Sequence, residues 1–196
     1  MKKVGILGGT FNPPHIGHLI MANEAYLALG LDEVRLMPNA KPPHKEAASA
    51  ATNAQRYEMV KLSVEGYDHL IAEPFEMVKG GISYTFHTMQ QMCEQEPNTK
   101  FYFIIGGDSI DQLHTWYEID KLSKLVTFVG VNRPGYQSVS NYSVKMIDAP
   151  EINLSSTFIR QRLQAGSTCQ FLLQPTVEAY IRKEGLYGTT TDASGH

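Results

Sequence analysis

Residues 4–30, VGILGGTFNPPHIGHLIMANEAYLALG, decide how the rest of the chain is read. Residues 4–7 form a short apolar run, expected as a buried strand. Gly8, Gly9 and Thr10 break it. Pro13 and Pro14 disfavour helix at the residues just before them. From Ile16 an apolar stripe recurs at helical spacing through Leu19, Ile20, Ala22, Tyr26 and Leu27. Gly30 stands where a helix C-terminus favours glycine. A second strand is expected over 33–37, closed by Pro38. Strand, glycine-rich turn, helix and strand in that order make a parallel βαβ unit.

The alternation continues. Residues 38–52, PNAKPPHKEAASAAT, form a loop long for a compact domain. Asn53 is the expected N-cap of a helix over 54–64. Strands are expected over 69–72, 101–105, 125–131 and, more weakly, 144–147. Helices are expected over 84–94, 156–164 and 176–184, the last stopped by Gly185. The predicted fold is α/β, a single Rossmann-like, doubly wound parallel sheet with helices on both faces. One domain is expected over 1–187. Residues 188–196 are small and polar, and are expected as a disordered tail.

The 196-residue length suits one such domain, which needs no disulfide or metal to be stable. Net charge is −3, and lysines and arginines are scattered without a basic run. That composition argues against a nucleic-acid partner, because phosphate neutralisation needs a concentrated positive face. Cys93 and Cys169 match no metal spacing and read as free structural thiols in a reducing compartment. The apolar start is too short for a signal peptide, and no stretch reaches membrane-spanning length. The expected location is the cytoplasm.

In an open parallel sheet, ligands bind beyond the carboxyl ends of the strands. Four polar clusters follow strands directly. In the first, Gly8 and Gly9 let the backbone approach a bulky anion and take positive φ. His15 and His18 lie three apart at a helix N-terminus, where free N–H groups and the dipole favour phosphate. Packed core histidines or a zinc pair are the alternatives, although zinc normally needs three or four ligands. In the second, Asn39, Lys41, His44 and Lys45 form either a cationic clamp or a solvated loop. Gly106-Gly107-Asp108-Ser109 and Asn132-Arg133-Pro134-Gly135 are the third and fourth. Near the C-terminus, residues 153–160 read NLSSTFIR. Ser155 and Ser156 there either cap a helix or hold an anion, with Arg160 one turn inside.

Residues 15–18 spell HIGH, a signature of class I aminoacyl-tRNA synthetases. Residues 121–125, KLSKL, imitate their second signature, but lysines near a helix C-terminus suit the helix dipole without it. Length and charge oppose a tRNA-ligating enzyme. Residues 9–18 and 155–160 instead carry the patterns GxFxPxHxGH and SSTxxR. Together they resemble the nucleotidyltransferase family that shares the HxGH motif with those synthetases. Within it, PNAKPPHK, SYT (83–85), IIGGDS (104–109), TWYE (115–118), NRPG (132–135) and EGLY (184–187) are similar to the bacterial nicotinate-nucleotide adenylyltransferases. The match covers nearly the whole chain.

The resemblance implies adenylyl transfer from ATP to nicotinate mononucleotide, giving deamido-NAD and pyrophosphate. The mononucleotide phosphate attacks directly, so alignment and charge stabilisation are the enzyme's tasks. Mg²⁺ would ride on the phosphates, and no residue is assigned as a metal ligand. By the same resemblance Gly8, Gly9, Thr10 and Phe11 line the ATP site. His15 and His18 contact the phosphates and act with Arg160 in catalysis. Ser155, Ser156 and Arg160 hold the leaving pyrophosphate. Gly106 and Asp108 meet ribose hydroxyls. Asn39, Lys41, His44, Lys45 and Arg133 serve the mononucleotide and its phosphate. Backbone amides near Thr85 and Tyr117 take the nicotinate carboxylate. Trp116 stacks on the pyridinium, worth ~1–2 kcal/mol when desolvated; a plain core tryptophan is the alternative. Other open readings are nicotinamide mononucleotide or another phosphate acceptor, and a nucleotide sensor without turnover. A homodimer is compatible with the sequence.

Overall fold

A computed structural model describes residues 1–41, 51–132, 140–150 and 152–190, apart from the side chains of Asp108 and Asn132. Six strands form one sheet: β1 (Lys2–Gly9), β2 (Glu33–Pro38), β3 (Leu70–Ala72), β4 (Thr99–Gly106), β5 (Thr127–Asn132) and β6 (Val144–Asp148). Their order is β3-β2-β1-β4-β5-β6, and every neighbouring pair is parallel. This is the doubly wound order, with its switch point between β1 and β4. All carboxyl ends therefore meet one edge.

Alternation along each strand splits the core in two. Leu7, Leu36, Tyr102, Ile104 and Val129 face α1 (Ile16–Leu29) and α2 (Asn53–Val64). Ile6, Met37, Phe101, Phe103 and Phe128 face the other side. There they meet α4 (Thr85–Gln95), α5 (Gly107–Asp111) and α6 (Ile119–Leu125). A third cluster joins Met59 of α2 to α7 (Ser156–Gln164), α8 (Pro175–Lys183) and the turn carrying Leu186 and Tyr187. The C-terminal segment thus has a core of its own. No helix among the described residues is long and apolar enough to cross a membrane.

Several sequence expectations shift. Gly8 and Gly9 do not break β1; they extend it, opposite Met37 and Pro38. Neither takes positive φ, which falls on Phe11 at 49°. What they supply is room: a Cβ would lie 3.1 Å from the Phe103 ring at Gly8 and 3.1 Å from the Phe11 ring at Gly9. The N-cap of α2 is Thr52, whose hydroxyl accepts the Gln55 N–H at 3.2 Å. Asn53 is instead the first residue of the helix, and its side-chain oxygen accepts from Arg56 at 2.7 Å. A short helix, α3 (Phe75–Lys79), was not anticipated. Gly80 and Gly81, at φ 66° and 73°, turn the chain from it towards α4. Leu125 ends α6 rather than opening β5. The packed chain runs past 187: Thr189 is buried and its hydroxyl donates to the Leu186 carbonyl at 2.8 Å.

Candidate active site

The chain leaving β1 is fixed from below by its own carbonyls. The Thr10 carbonyl accepts from Arg56 Nη1 at 2.7 Å. The Asn12 carbonyl accepts from Arg160 Nη1 at 2.8 Å, and the Pro13 carbonyl from Ser156 Oγ at 2.9 Å. The Asn12 side chain receives the Tyr187 hydroxyl. Arg56 also reaches the Asn39 carbonyl at 2.6 Å, and the Asn39 N–H donates to Gly9 O at 2.9 Å. One buried guanidinium thereby ties the exits of β1 and β2 together.

That support presents the two histidines. His15 is the N-cap of α1 and His18 its third residue. Their rings stack, with centroids 3.8 Å apart. The Phe11 ring backs His18 edge-on at 4.9 Å. The His15 N–H donates to His18 Nδ1 at 3.1 Å. A neutral imidazole has one donor and one acceptor nitrogen. His18 therefore carries its proton on Nε2, which is left to donate elsewhere. Burial pushes the His15 pKa down to about 4. Burial, then the neighbouring His15, lowers that of His18. Both are neutral near pH 7. His15 Nδ1 is buried, with no hydrogen-bond partner among the described residues.

The pair opens onto a cleft of about 230 Å³ at the switch point. His15, Gly17, His18, Gly106, Gly107 and Ser109 form its polar lining. Met21, Val131, Ile152 and Leu154 supply apolar walls. Of the first helix N–H groups, that of Ile16 is taken by the Leu172 carbonyl at 2.9 Å and that of His18 by the His15 carbonyl at 2.9 Å. The α1 terminus is thus less open to an anion than its sequence suggests, and the imidazoles are the main donors. Neutral donors aimed into a cleft suit an anion whose charge grows during reaction.

A family model described as cytidylyltransferase-like matches residues 6–162. A protein of Lactiplantibacillus plantarum named "Probable nicotinate-nucleotide adenylyltransferase" is 50% identical over 186 residues, covering 95% of this chain and 88% of its own. A Bacillus cytotoxicus protein of the same name is 48% identical, covering 95% of this chain and 99% of its own. The chain belongs to the nicotinate-nucleotide adenylyltransferase family. The fold agrees with that of the nicotinic acid mononucleotide adenylyltransferase of Plasmodium falciparum complexed with NaAD. That structure has a TM-score of 0.81 at 19% identity, covering 98% of this chain and 100% of that one.

In this adenylyltransferase the cleft brings together His15, His18 and Gly106. Ser155 caps α7, accepting the Phe158 N–H at 3.2 Å. Ser156 and Arg160 hold the loop carbonyls described above, and Arg160 Nη2 also donates to Thr157 at 3.1 Å. Phe11 is buried beneath His18. Thr85, Trp116 and Tyr117 do not line the histidine cleft. Tyr117 is 47% exposed and packs its ring 4.8 Å from that of Tyr84, beside Thr85. Trp116 is half-buried and meets Phe103 and Phe128 edge-on at 5.9 and 6.1 Å. Phe103 is the ring against Gly8, so the aromatic group neighbours the β1 exit. The Lys41 backbone is held by Ser83, and its side chain is exposed. His44, Lys45, Arg133 and the Asp108 side chain lie outside what the structure describes.

Arg56, Asn12, Tyr187, Glu76, Ser83, Gly107 and Ser109 have no role assignable from sequence alone. Asn12, Ser83, Gly107, Ser109 and Tyr187 fall inside the quoted stretches. Arg56 carried no signal, because a lone arginine on a helix reads as solvent-facing.

Proposed function

We propose that this chain transfers the adenylyl group of ATP to nicotinate mononucleotide, giving deamido-NAD and pyrophosphate. The observation that carries it is the His18 geometry: a neutral imidazole with its Nδ1 occupied and its Nε2–H left to donate, in the wall of a cleft at the switch point. Half-identical relatives carrying that name support the choice of acceptor. A phosphate oxygen of the mononucleotide forms the new bond to the α-phosphorus. The bond from that phosphorus to the β-bridging oxygen breaks, and its electrons leave with pyrophosphate. No protein nucleophile is required, and the acceptor phosphate is already ionised at neutral pH.

His18 and His15 donate to the transferring phosphoryl oxygens, where charge accumulates. Ser156 and Arg160 fix the loop that aims them and border the path of the leaving pyrophosphate. Gly106 and Gly107 let the backbone of β4 approach the nucleotide. Amides near Thr85 and Tyr117 receive the nicotinate carboxylate; bare donors favour it over an amide, whose NH₂ would face a donor. Trp116 offers its indole to the pyridinium. Among the described residues no group of three or more His, Cys, Asp or Glu side chains is placed to hold a metal. Mg²⁺ would be carried by ATP oxygens and water, neutralising phosphate charge there.

Pyrophosphate release with ATP and Mg²⁺ tests the proposal against nicotinate mononucleotide, nicotinamide mononucleotide, phosphopantetheine and FMN. Nicotinate mononucleotide should give the highest kcat/KM. A better acceptor among the others would overturn the specificity, and no release with any would overturn the activity. Replacing Trp116 by Phe keeps an aromatic ring against Phe103 and should raise the KM for the mononucleotide more than that for ATP.

A further inference from the structure

Glu76 is 1% exposed, in the second position of α3. Burying a carboxylate is costly unless its oxygens are fully engaged. Here they are. The Ser83 hydroxyl donates to one oxygen and the Thr88 hydroxyl to the other. Lys79 Nζ stands 3.9 Å from Glu76 and 3.4 Å from the Thr88 oxygen.

Ser83 is the hinge of this cluster. Its Oγ accepts the Ala40 N–H at 3.0 Å and the Lys41 N–H at 3.3 Å. Its own N–H donates to the Lys41 carbonyl at 2.9 Å. A hydroxyl has two lone pairs and one proton. Both lone pairs are occupied by backbone, so the proton is directed to Glu76. Without an acceptor there, the hydroxyl loses the bond that fixes its rotor. Thr88, on the other oxygen, closes the first turn of α4: its N–H donates to the Tyr84 carbonyl at 3.2 Å. Glu76 thus grips α4 on both sides of Thr85, while Ser83 pins the exit of β2. The amides of residues 85–87 precede the first helical bond and have no acceptor inside α4.

We infer that Glu76 is a positioning residue for the acceptor: acting through Ser83 and Thr88, it sets the first-turn amides of α4 in register with the chain at 40–41. This rests on the reading that the nicotinate carboxylate sits on the amides near Thr85 and Tyr117. The carboxylate touches no reacting atom. It governs where the acceptor lies, so its loss falls on acceptor binding rather than on ATP.

The test compares Ser83→Ala, Glu76→Gln and Glu76→Leu in the whole protein. Ser83→Ala leaves two backbone N–H groups without their acceptor and should raise the KM for nicotinate mononucleotide about tenfold or more. The KM for ATP should stay near that of the wild type. Glu76→Gln keeps an acceptor for Ser83, and its NH₂ can donate to Thr88, so it should lie between wild type and Ser83→Ala. Glu76→Leu offers neither and should match or exceed Ser83→Ala. Amide hydrogen exchange of residues 84–88, measured without ligand, should quicken in the same order. Lowered melting temperature with both KM values and the exchange unchanged would show a plain structural role and overturn the inference. A wild type that does not use nicotinate mononucleotide would overturn the subsite reading and the inference together. Normal wild-type kinetics with an unchanged acceptor KM in Ser83→Ala would overturn the inference alone.

Discussion

His15 and His18 hold each other: their rings stack at 3.8 Å, and the His15 backbone N–H closes on His18 Nδ1 at 3.1 Å. One contact sets orientation and the other sets the tautomer. The two nitrogens of His18 can therefore be removed separately. His18→Asn keeps an acceptor near Nδ1 and removes the distal donor. Its kcat for pyrophosphate release should fall ~100-fold or more, as for other lost transition-state donors. His18→Gln places an N–H₂ near the Nε2 position and should retain more activity than Asn. Near-normal kcat in His18→Asn would remove His18 from the chemistry.

Burial of His15 makes stability depend on pH with a definite sign. Its folded pKa, about 4, lies below the ordinary 6.5. Between those values the unfolded chain binds a proton that the folded chain does not. The stability is fully present above 6.5 and is lost as pH falls towards 4. From pH 7 to 5 the loss from this group is about 2 kcal/mol. Urea unfolding of wild type and His15→Asn at both pH values should show the wild type losing more, by roughly that amount. Parallel losses would mean that His15 titrates normally in the folded protein.

Arg56 joins two loop exits through carbonyls alone, and no described carboxylate pairs with it. Arg56→Met leaves the Thr10 and Asn39 carbonyls without their donor, at about 1–3 kcal/mol each. Arg56→Lys keeps the charge but cannot span both carbonyls with one fork. Both variants should lose stability, and Lys should still show a raised KM for ATP because the β1 exit loosens. Chemical denaturation and initial rates check this. A Lys variant equal to wild type in both would show that charge alone matters at this position.

Features with a local physical signature could be read from sequence. The apolar run of β1, the glycine closing α1 and the serine opening α7 needed no distant partner. Gly30 does cap α1 at φ 56°, and Ser155 does cap α7. The histidine pair was legible because its spacing and helix start are local as well. What failed depended on long-range partners. The start of α2 is a local exception: Thr52, one residue earlier, takes the capping place, and the Asn53 side chain turns to Arg56 three residues on. Tyr187 reaches Asn12 across 175 positions, and Arg56 reaches Thr10 across 46. Glu76 gave no sign of burial, since its partners become neighbours only after Gly80 and Gly81 turn the chain. Gly8 and Gly9 were identified as special, but for backbone conformation rather than for the aromatic rings packed against them.

Gly17 offers a test in which stability and activity part company. A Cβ at this position would lie 3.1 Å from His15 Nδ1 and 3.2 Å from its Cε1. The contact is tighter than a Cβ ordinarily makes, so the His15 ring must give by a few tenths of an ångström within its stack on His18. Gly17 sits in the first turn of α1 and has no positive φ, so alanine is conformationally allowed there. Alanine also forms helix more readily, by about 0.5 kcal/mol or somewhat more. Gly17→Ala should therefore melt at or near the wild-type temperature. A reacting group moved by a fraction of an ångström to 1 Å loses rate steeply, and kcat should fall about 10- to 100-fold. Circular dichroism melts set beside kcat decide the matter. Full activity would show that His15 tolerates displacement and that His18 alone carries the donor role. A large drop in melting temperature would show that the histidine stack supports the fold as well as the site.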